Sequence, residues 1–313
     1  MKAIVYRKYG SPDVLGLQER DKPTVRDKDV RIRVRAASVN ASDWHLLTAT
    51  PWVTRLFAGL LKPKRKILGV DVAGQVDAVG SQVTRYQPGD AVFGTSDDAG
   101  AFAEFMRVPE DLVVHKPANV TDEEAAAAPA AALTALKGLR DKGRVQPGQK
   151  VLINGAAGGV GTFAVQIATL FGAEVTGVCS TRNLDLVRSI GADHVIDYSQ
   201  EDFAENDRRY DVVFDLVGNR SLADCRRILR PQGMYVAAAG APARLLWITM
   251  TGGKRMVTML SQPNQEGLRC IQKLLETGEL KSVIDRRYPL HEVPDALRYL
   301  GEGHARGKIV ITV

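Results

Sequence analysis

Apolar and polar positions follow one rhythm up to Val120 and another after it. "KAIVYRKYG", "VRIRVRAASVN" and "AGQVDAVG" alternate apolar with polar residues or run β-branched, and each stops at Gly or Asn. "YQPGDAVFG" and "FAEFMRVPEDLVVHKP" continue in the same way, with Pro88-Gly89-Asp90 as a turn. These stretches predict short strands. At Thr121 the pattern turns helical: Thr121 and Glu124 have capping-box spacing ahead of an alanine-rich run that Pro129 is expected to kink. Beyond it, apolar strands ("KVLING", "EVTGVCS", "HVIDY", "YDVVFDLVG", "GMYVAAAG") alternate with helices ("VGTFAVQIATLFG", "RNLDLVRSIG", "SLADCRRIL"). Such alternation predicts a parallel sheet covered on both faces, hence an α/β chain. "RMVTMLSQP" reads as a last strand at the sheet edge, "GLRCIQKLLETGEL" as a helix and "GKIVITV" as a closing strand.

"TPWVTRLFAGLLKPKRKIL" fits neither rhythm, joining large apolar residues to five basic ones. It is open to two readings: a segment lying on a membrane surface, or a partly helical surface insertion near a pocket mouth.

Composition narrows the class. With 313 residues, 45% hydrophobic and 25% charged, the chain is long enough for two globular domains. No apolar run approaches the ~18 residues of a membrane span, and Met1 to Pro12 lacks the apolar centre of a secretory signal. Cys179, Cys225 and Cys270 are far apart, which points to a reducing, cytoplasmic setting rather than a disulfide framework. The net charge of +6 is scattered, with no basic stripe for nucleic acid.

The glycine run "INGAAGGVG" sits where a strand meets a helix, the context of a dinucleotide site. Gly158 lets backbone approach a pyrophosphate and Gly161 lets helix pack on strand, while Ala156 stands at the first glycine of G-x-G-x-x-G. The surrounding turn, Ala156, Ala157, Gly158, Gly159 and Val160, is the expected phosphate cradle. The next strand ends Cys179, Ser180, Thr181, Arg182, without the acid that bonds a ribose 2′-hydroxyl in NAD sites. Ser180 and Arg182 suit a 2′-phosphate, and Tyr198 a place beside the adenine ribose, so the expected cofactor is NADPH.

"RVQPGQKVLI", "AAGGVG", "VDVAGQVDAVG" and "YQPGDAVFG" together resemble the medium-chain dehydrogenase/reductase superfamily over essentially the whole chain. The ending "SVIDRRYPLHEVPDALRYLGEGHARGKIVITV" resembles its zinc-free quinone oxidoreductase branch, which includes reticulon-interacting reductases and chloroplast-envelope quinone oxidoreductase homologues. The resemblance implies a GroES-like β-rich catalytic domain over residues 1–122, completed by 266–313, and a Rossmann NADPH-binding domain over 123–265. The family's cysteine and histidine zinc ligands fall at Asn40 and Val70, and its structural-zinc cysteines have no counterpart, so no metal is expected. Without a Lewis acid, the chemistry that fits is hydride addition to a quinone or α,β-unsaturated carbonyl, rather than alcohol oxidation. An enoyl-thioester reductase, or an NADPH-binding protein without turnover, are the competing readings.

By the same resemblance Asn40 and Asp43 lie near nicotinamide and substrate, with Asn40 a donor to the carbonyl; for Asp43, helix capping is the other reading. Thr134 corresponds to a threonine at the nicotinamide end. Leu216, Val217, Ala239 and Gly240 end two strands where such sheets bind ligands, and Gly307 and Lys308 resemble a segment returning to the cofactor. Trp44, Phe93 and Trp247 are candidate pocket walls, unless they are core. Tyr6, Tyr9, Asp43 and solvent are all conceivable proton donors. The edge strand around Arg255 to Leu260 is expected to pair two copies into a homodimer, the segment around Trp52 to Lys66 being a rival interface.

Overall fold

The computed structural model describes every residue except Ala99, Asn206 and Leu260. Strand alternation builds the first sheet. After the antiparallel pair β1 (Lys2–Val5) and β2 (Gly16–Glu19) comes the long β3 (Asp29–Val39), which buries Val30, Ile32 and Val34 and turns Arg31, Arg33 and Arg35 the other way. Helices α1 (Ala41–Thr48) and α2 (Thr54–Ala58) follow, then β4 (Asp71–Val79), β5 (Ala91–Thr95), β6 (Phe105–Pro109) and β7 (Val113–His115). β3 pairs antiparallel with β4 and β6, β4 with β5, and β5 with β7. Helix α3 (Asp122–Ala127) opens on the expected capping box: Thr121 N–H donates to Glu124 Oε2 (2.9 Å) and Glu124 N–H to Thr121 Oγ1 (3.2 Å). Pro129 then breaks the run, and α4 (Pro129–Leu136) starts on it.

The second unit runs β8 (Lys150–Asn154), α5 (Gly159–Leu170), β9 (Glu174–Cys179), α6 (Leu184–Ser189), β10 (His194–Asp197), β11 (Tyr210–Asp215), α7 (Leu222–Arg227), β12 (Leu229–Ala237), α8 (Pro242–Thr251) and β13 (Met256–Thr258). Its strands are all parallel, in the order β10-β9-β8-β11-β12-β13. Counted along the unit this is 3-2-1-4-5-6, the dinucleotide-binding order, with direction reversing between β8 and β11. Leu152, Val178, Ile196, Val213 and Tyr235 pack its core. The sequence reading gave no element for "APARLLWITMTGG"; it forms α8, which leaves Leu246, Trp247 and Met250 exposed.

The chain closes with α9 (Gln265–Glu276), capped by Asn264, then β14 (Ile284–Pro289), α10 (Val293–Gly301) and β15 (Lys308–Thr312). β15 pairs antiparallel with β3, which brings the C-terminal strand into the first sheet. The two compact units are Met1–Ala130 with Pro263–Val313, and Ala131–Gln262. The first seam falls beyond α3, not before it, because α3 packs on β3, β4, β5 and β15.

Candidate functional site

In the first unit a polar cluster is buried where β3, β4 and β15 meet. β3 ends one residue before α1, which sets Asn40 and Asp43 at the helix start. Asn40 N–H donates to Asp43 Oδ2 (2.8 Å), and Gly69 N–H donates to Asp43 Oδ1 (2.8 Å). Burial pushes the Asp43 carboxyl up to about 7, against the pull of those two donors. Asp71, the first residue of β4, is also buried. Its Oδ2 accepts from Ser38 Oγ (2.9 Å) and Asn40 Nδ2 (3.0 Å), and its Oδ1 from Ala130 N–H (3.0 Å). Lys308 opens β15, is 3% exposed, donates to Asn40 Oδ1 (2.5 Å) and lies 3.8 Å from Asp71 Oδ2. Burial lowers the Lys308 pKa, while the Asp71 and Asp43 charges hold it up.

One expectation fails here. Asn40 Nδ2 gives its two hydrogens to Asp71 Oδ2 and Ser38 O (3.3 Å), and its Oδ1 accepts from Lys308. The amide therefore has no donor left for a substrate carbonyl. Asp43 caps α1 by accepting the Asn40 N–H.

In the second unit the glycine turn leaves a helix start bare. The first bond inside α5 runs from Thr162 N–H to Gly158 O (2.9 Å), so the N–H groups of Gly159, Val160 and Gly161 have no partner within the helix. No side chain caps Gly158, whereas Thr121, Ser221 and Asn264 cap α3, α7 and α9. A Cβ on Gly161 would lie 2.0 Å from Gly155 O; one on Gly158 would meet nothing nearer than 3.4 Å. The turn thus needs glycine at 161 for its own packing, and the space at 158 faces away from the protein's own atoms. Free donors, a helix dipole and open space fit a pyrophosphate. Ala156 shapes the turn instead of cradling the ligand, since its N–H donates to Val178 O (3.0 Å) and its side chain is buried beside Ala157.

The carboxyl ends of β8, β11 and β12 converge beside this turn. Asp215 Oδ1 accepts from Asn154 Nδ2 (2.9 Å), Val217 N–H (3.0 Å) and Gly218 N–H (2.8 Å), which fixes the segment carrying Leu216 and Val217. Gly218 lies so close to Gly240 that a Cβ there would sit 2.6 Å from the Gly240 Cα, bringing Ala239 and Gly240 alongside. At the end of β9, Ser180 is half-buried and Arg182 exposed. Asp197, ending β10, was not singled out by the sequence. Its carboxylate accepts from Thr181 Oγ1 (2.5 Å) and Ser199 Oγ (2.7 Å), which hold it below the usual carboxylate range. Tyr198, beside it, is half-exposed.

Residues 26–118 match the alcohol dehydrogenase GroES-like domain, and residues 190–311 match a family described as zinc-binding dehydrogenase. Over 99% of its length the chain is 37% identical to 2-methylene-furan-3-one reductase of Solanum lycopersicum, of which it covers 79%. It is 35% identical to the chloroplastic NADPH-dependent alkenal/one oxidoreductase of Arabidopsis thaliana, with the same coverage. The quinone oxidoreductase structure from Coxiella burnetii superposes with a TM-score of 0.92 at 33% identity, over 100% of this chain and 99% of that one. The chain belongs to the medium-chain dehydrogenase/reductase superfamily.

In this dehydrogenase/reductase the positions of the catalytic zinc ligands do not fit the metal. Val70 is a buried apolar side chain, and Asn40 is committed to Lys308, Asp71 and Ser38. Thr134 is half-buried on α4. Trp44 packs on α10, its ring 2.4 Å from where a Gly301 Cβ would stand, and Trp247 is exposed on α8. Phe93 has no exposed surface between β4 and β7, which makes it core and not a pocket wall. Gly307, at φ +93, takes the left-handed turn into β15. Tyr9 donates its hydroxyl proton to Gly59 O (2.6 Å), and burial raises the Tyr6 pKa.

Proposed function

We propose that this protein is an NADPH-dependent reductase that delivers hydride to a quinone or an α,β-unsaturated carbonyl without a catalytic metal. The observation that carries the reading is the uncapped start of α5 at the switch point of a 3-2-1-4-5-6 sheet. It is supported by relatives whose names specify quinone, alkenal and furanone acceptors. NADPH, when bound, supplies the hydride. The chain's part is to bind and orient it: Gly158, Gly159 and Val160 hold the pyrophosphate, Ser180 and Arg182 the 2′-phosphate, and Tyr198 the adenine ribose. Leu216, Val217, Ala239 and Gly240 flank it at the strand ends, and Thr134 meets the nicotinamide end. The Lys308–Asn40–Asp71 cluster, with Asp43 below it, fixes the backbone of the catalytic unit. The Asn40 and Tyr9 hydrogens are already donated, which leaves Tyr6, Asp43 and water as sources of the proton that follows hydride transfer.

The same reading holds that the two compact units are the catalytic and the NADPH-binding domains, that the enzyme is cytoplasmic, in keeping with three cysteines without disulfides, and that it forms a homodimer. NADPH oxidation against quinones, 2-alkenals and enoyl thioesters tests the function, with elemental analysis of the same sample. Turnover of quinones or alkenals by zinc-free protein is expected. Turnover of enoyl thioesters alone, or activity lost with a stoichiometric zinc, overturns it.

A further inference from the structure

The insertion between Asp43 and Asp71 carries a surface that the proposed chemistry does not use. Around α2, Phe57 and Leu61 are 80% and 87% exposed, and Trp52, Leu56 and Leu60 are more than half exposed. Apolar side chains presented together and outward mark a contact surface. They are held by a built loop. Tyr9 donates to Gly59 O, Arg55 stacks over the Tyr9 ring at 5.1 Å, Lys64 N–H donates to Ala58 O (2.9 Å) and Tyr6 N–H to Lys66 O (3.0 Å). Gly59, at φ +121, adopts a turn that a side chain would block, its Cβ falling 2.2 Å from Lys62 O. Arg55, Lys62, Lys64, Arg65 and Lys66 accompany the apolar residues, and no Asp or Glu occurs between Asp43 and Asp71.

We infer that this loop is a docking surface for an anionic lipid bilayer, with its apolar tip at the acyl boundary and its cations at the headgroups. Charge selects the occupant. A second copy seated on the same loop would set Lys62, Lys64, Arg65 and Lys66 against their own counterparts with no carboxylate from the segment to compensate, whereas anionic headgroups complement them. The loop is also tied to the catalytic unit, because Asp43 closes its two ends by accepting the Gly69 N–H from the start of α1. Resting on the proposed function, this gives the substrate class: quinones with long apolar tails, drawn from the membrane in which they dissolve.

Flotation with vesicles of phosphatidylcholine alone, and of phosphatidylcholine enriched in phosphatidylglycerol, tests it. Binding to the anionic vesicles only is expected, weakening with added salt. Phe57→Glu/Leu61→Glu and, separately, Lys62→Gln/Lys64→Gln/Lys66→Gln are each expected to reduce that binding about tenfold or more. Both variants should keep full NADPH oxidation with a short water-soluble quinone and lose most turnover of a long-tailed quinone embedded in the vesicles. No flotation of the unmodified protein, or flotation unaffected by either variant, overturns the docking surface. So does a dimer that Phe57→Glu/Leu61→Glu splits, which would assign the loop to a second copy. The soluble-quinone arm reports on the function independently: its failure alongside intact flotation would sink the enzymatic reading and leave the docking surface standing.

Discussion

Asp43 joins stability to pH through one carboxylate. Replacing it with Ala leaves the Asn40 and Gly69 N–H groups buried and unpaired, a loss of about 3 kcal/mol, whereas Asn keeps one acceptor and should cost about half as much. Its folded pKa of about 7 lies above the ordinary carboxylate value, so the folded state holds an extra proton between about 4 and 7. Asp43 therefore contributes most below that window, and its contribution falls as pH rises through it and levels off above. Denaturant titrations across this range should show the slope in the unmodified protein and its loss in Asp43→Asn; parallel curves would refute the coupling. Arg182 belongs to the same scale. Arg182→Ala should weaken NADPH by roughly 1.5–3 kcal/mol, the size of a charge-assisted contact, and leave NADH nearly unchanged. Calorimetric titration of both nucleotides measures this, and equal affinity of the unmodified protein for the two would overturn the assignment.

At the scale of elements, the strand–turn–helix of β8 and α5 separates glycines that serve the fold from one that serves the ligand. In Gly161→Ala the added carbon meets the Gly155 carbonyl, so the turn must shift: the expected result is a lower melting temperature and lost nucleotide binding together. Gly158→Ala has room in the protein itself and should fold normally while losing most NADPH affinity. Thermal unfolding with and without NADPH distinguishes the two. A Gly158→Ala variant that binds NADPH normally would show that the cofactor does not approach this turn.

For the whole molecule, β13 is the outer strand of the second sheet among the described residues; Leu260, the end of the stretch expected to form it, lies outside them. Arg255 O and Met259 N–H bond to β12, so by alternation Thr258 turns its backbone groups to the open edge, while Met256 N–H is taken by Gly252 O (3.2 Å). Thr258→Pro removes one outward donor without touching β12. Light scattering should give twice the 34.0 kDa chain mass for the unmodified protein and a concentration-dependent monomer for the variant, with NADPH binding retained. A monomer from the outset, or a dimer indifferent to the proline, would exclude this edge.

Local order was legible in the sequence because it depends on near neighbours. Alternation wrote β3, the Thr121–Glu124 box wrote the start of α3, and glycine spacing after β8 wrote the turn that α5 begins from. Family order added the return of β15 to the first sheet. Tertiary structure alone decided what those residues do. Asn40 gives to Asp71 and Ser38 the amide hydrogens that the family resemblance had offered to a substrate, and Lys308 reaches its Oδ1 across 268 positions. Asp197 reaches Thr181 only because β9 and β10 lie side by side, and Phe93 is fully buried on a strand paired on both edges. α3 joins the first unit because its alanines pack on β3 and β4, a contact no local pattern encodes. A sequence states which hydrogen-bond donors and acceptors a segment owns. Which of them are spent is fixed by distant strands, since burial leaves each polar group a choice between a partner and a desolvation penalty.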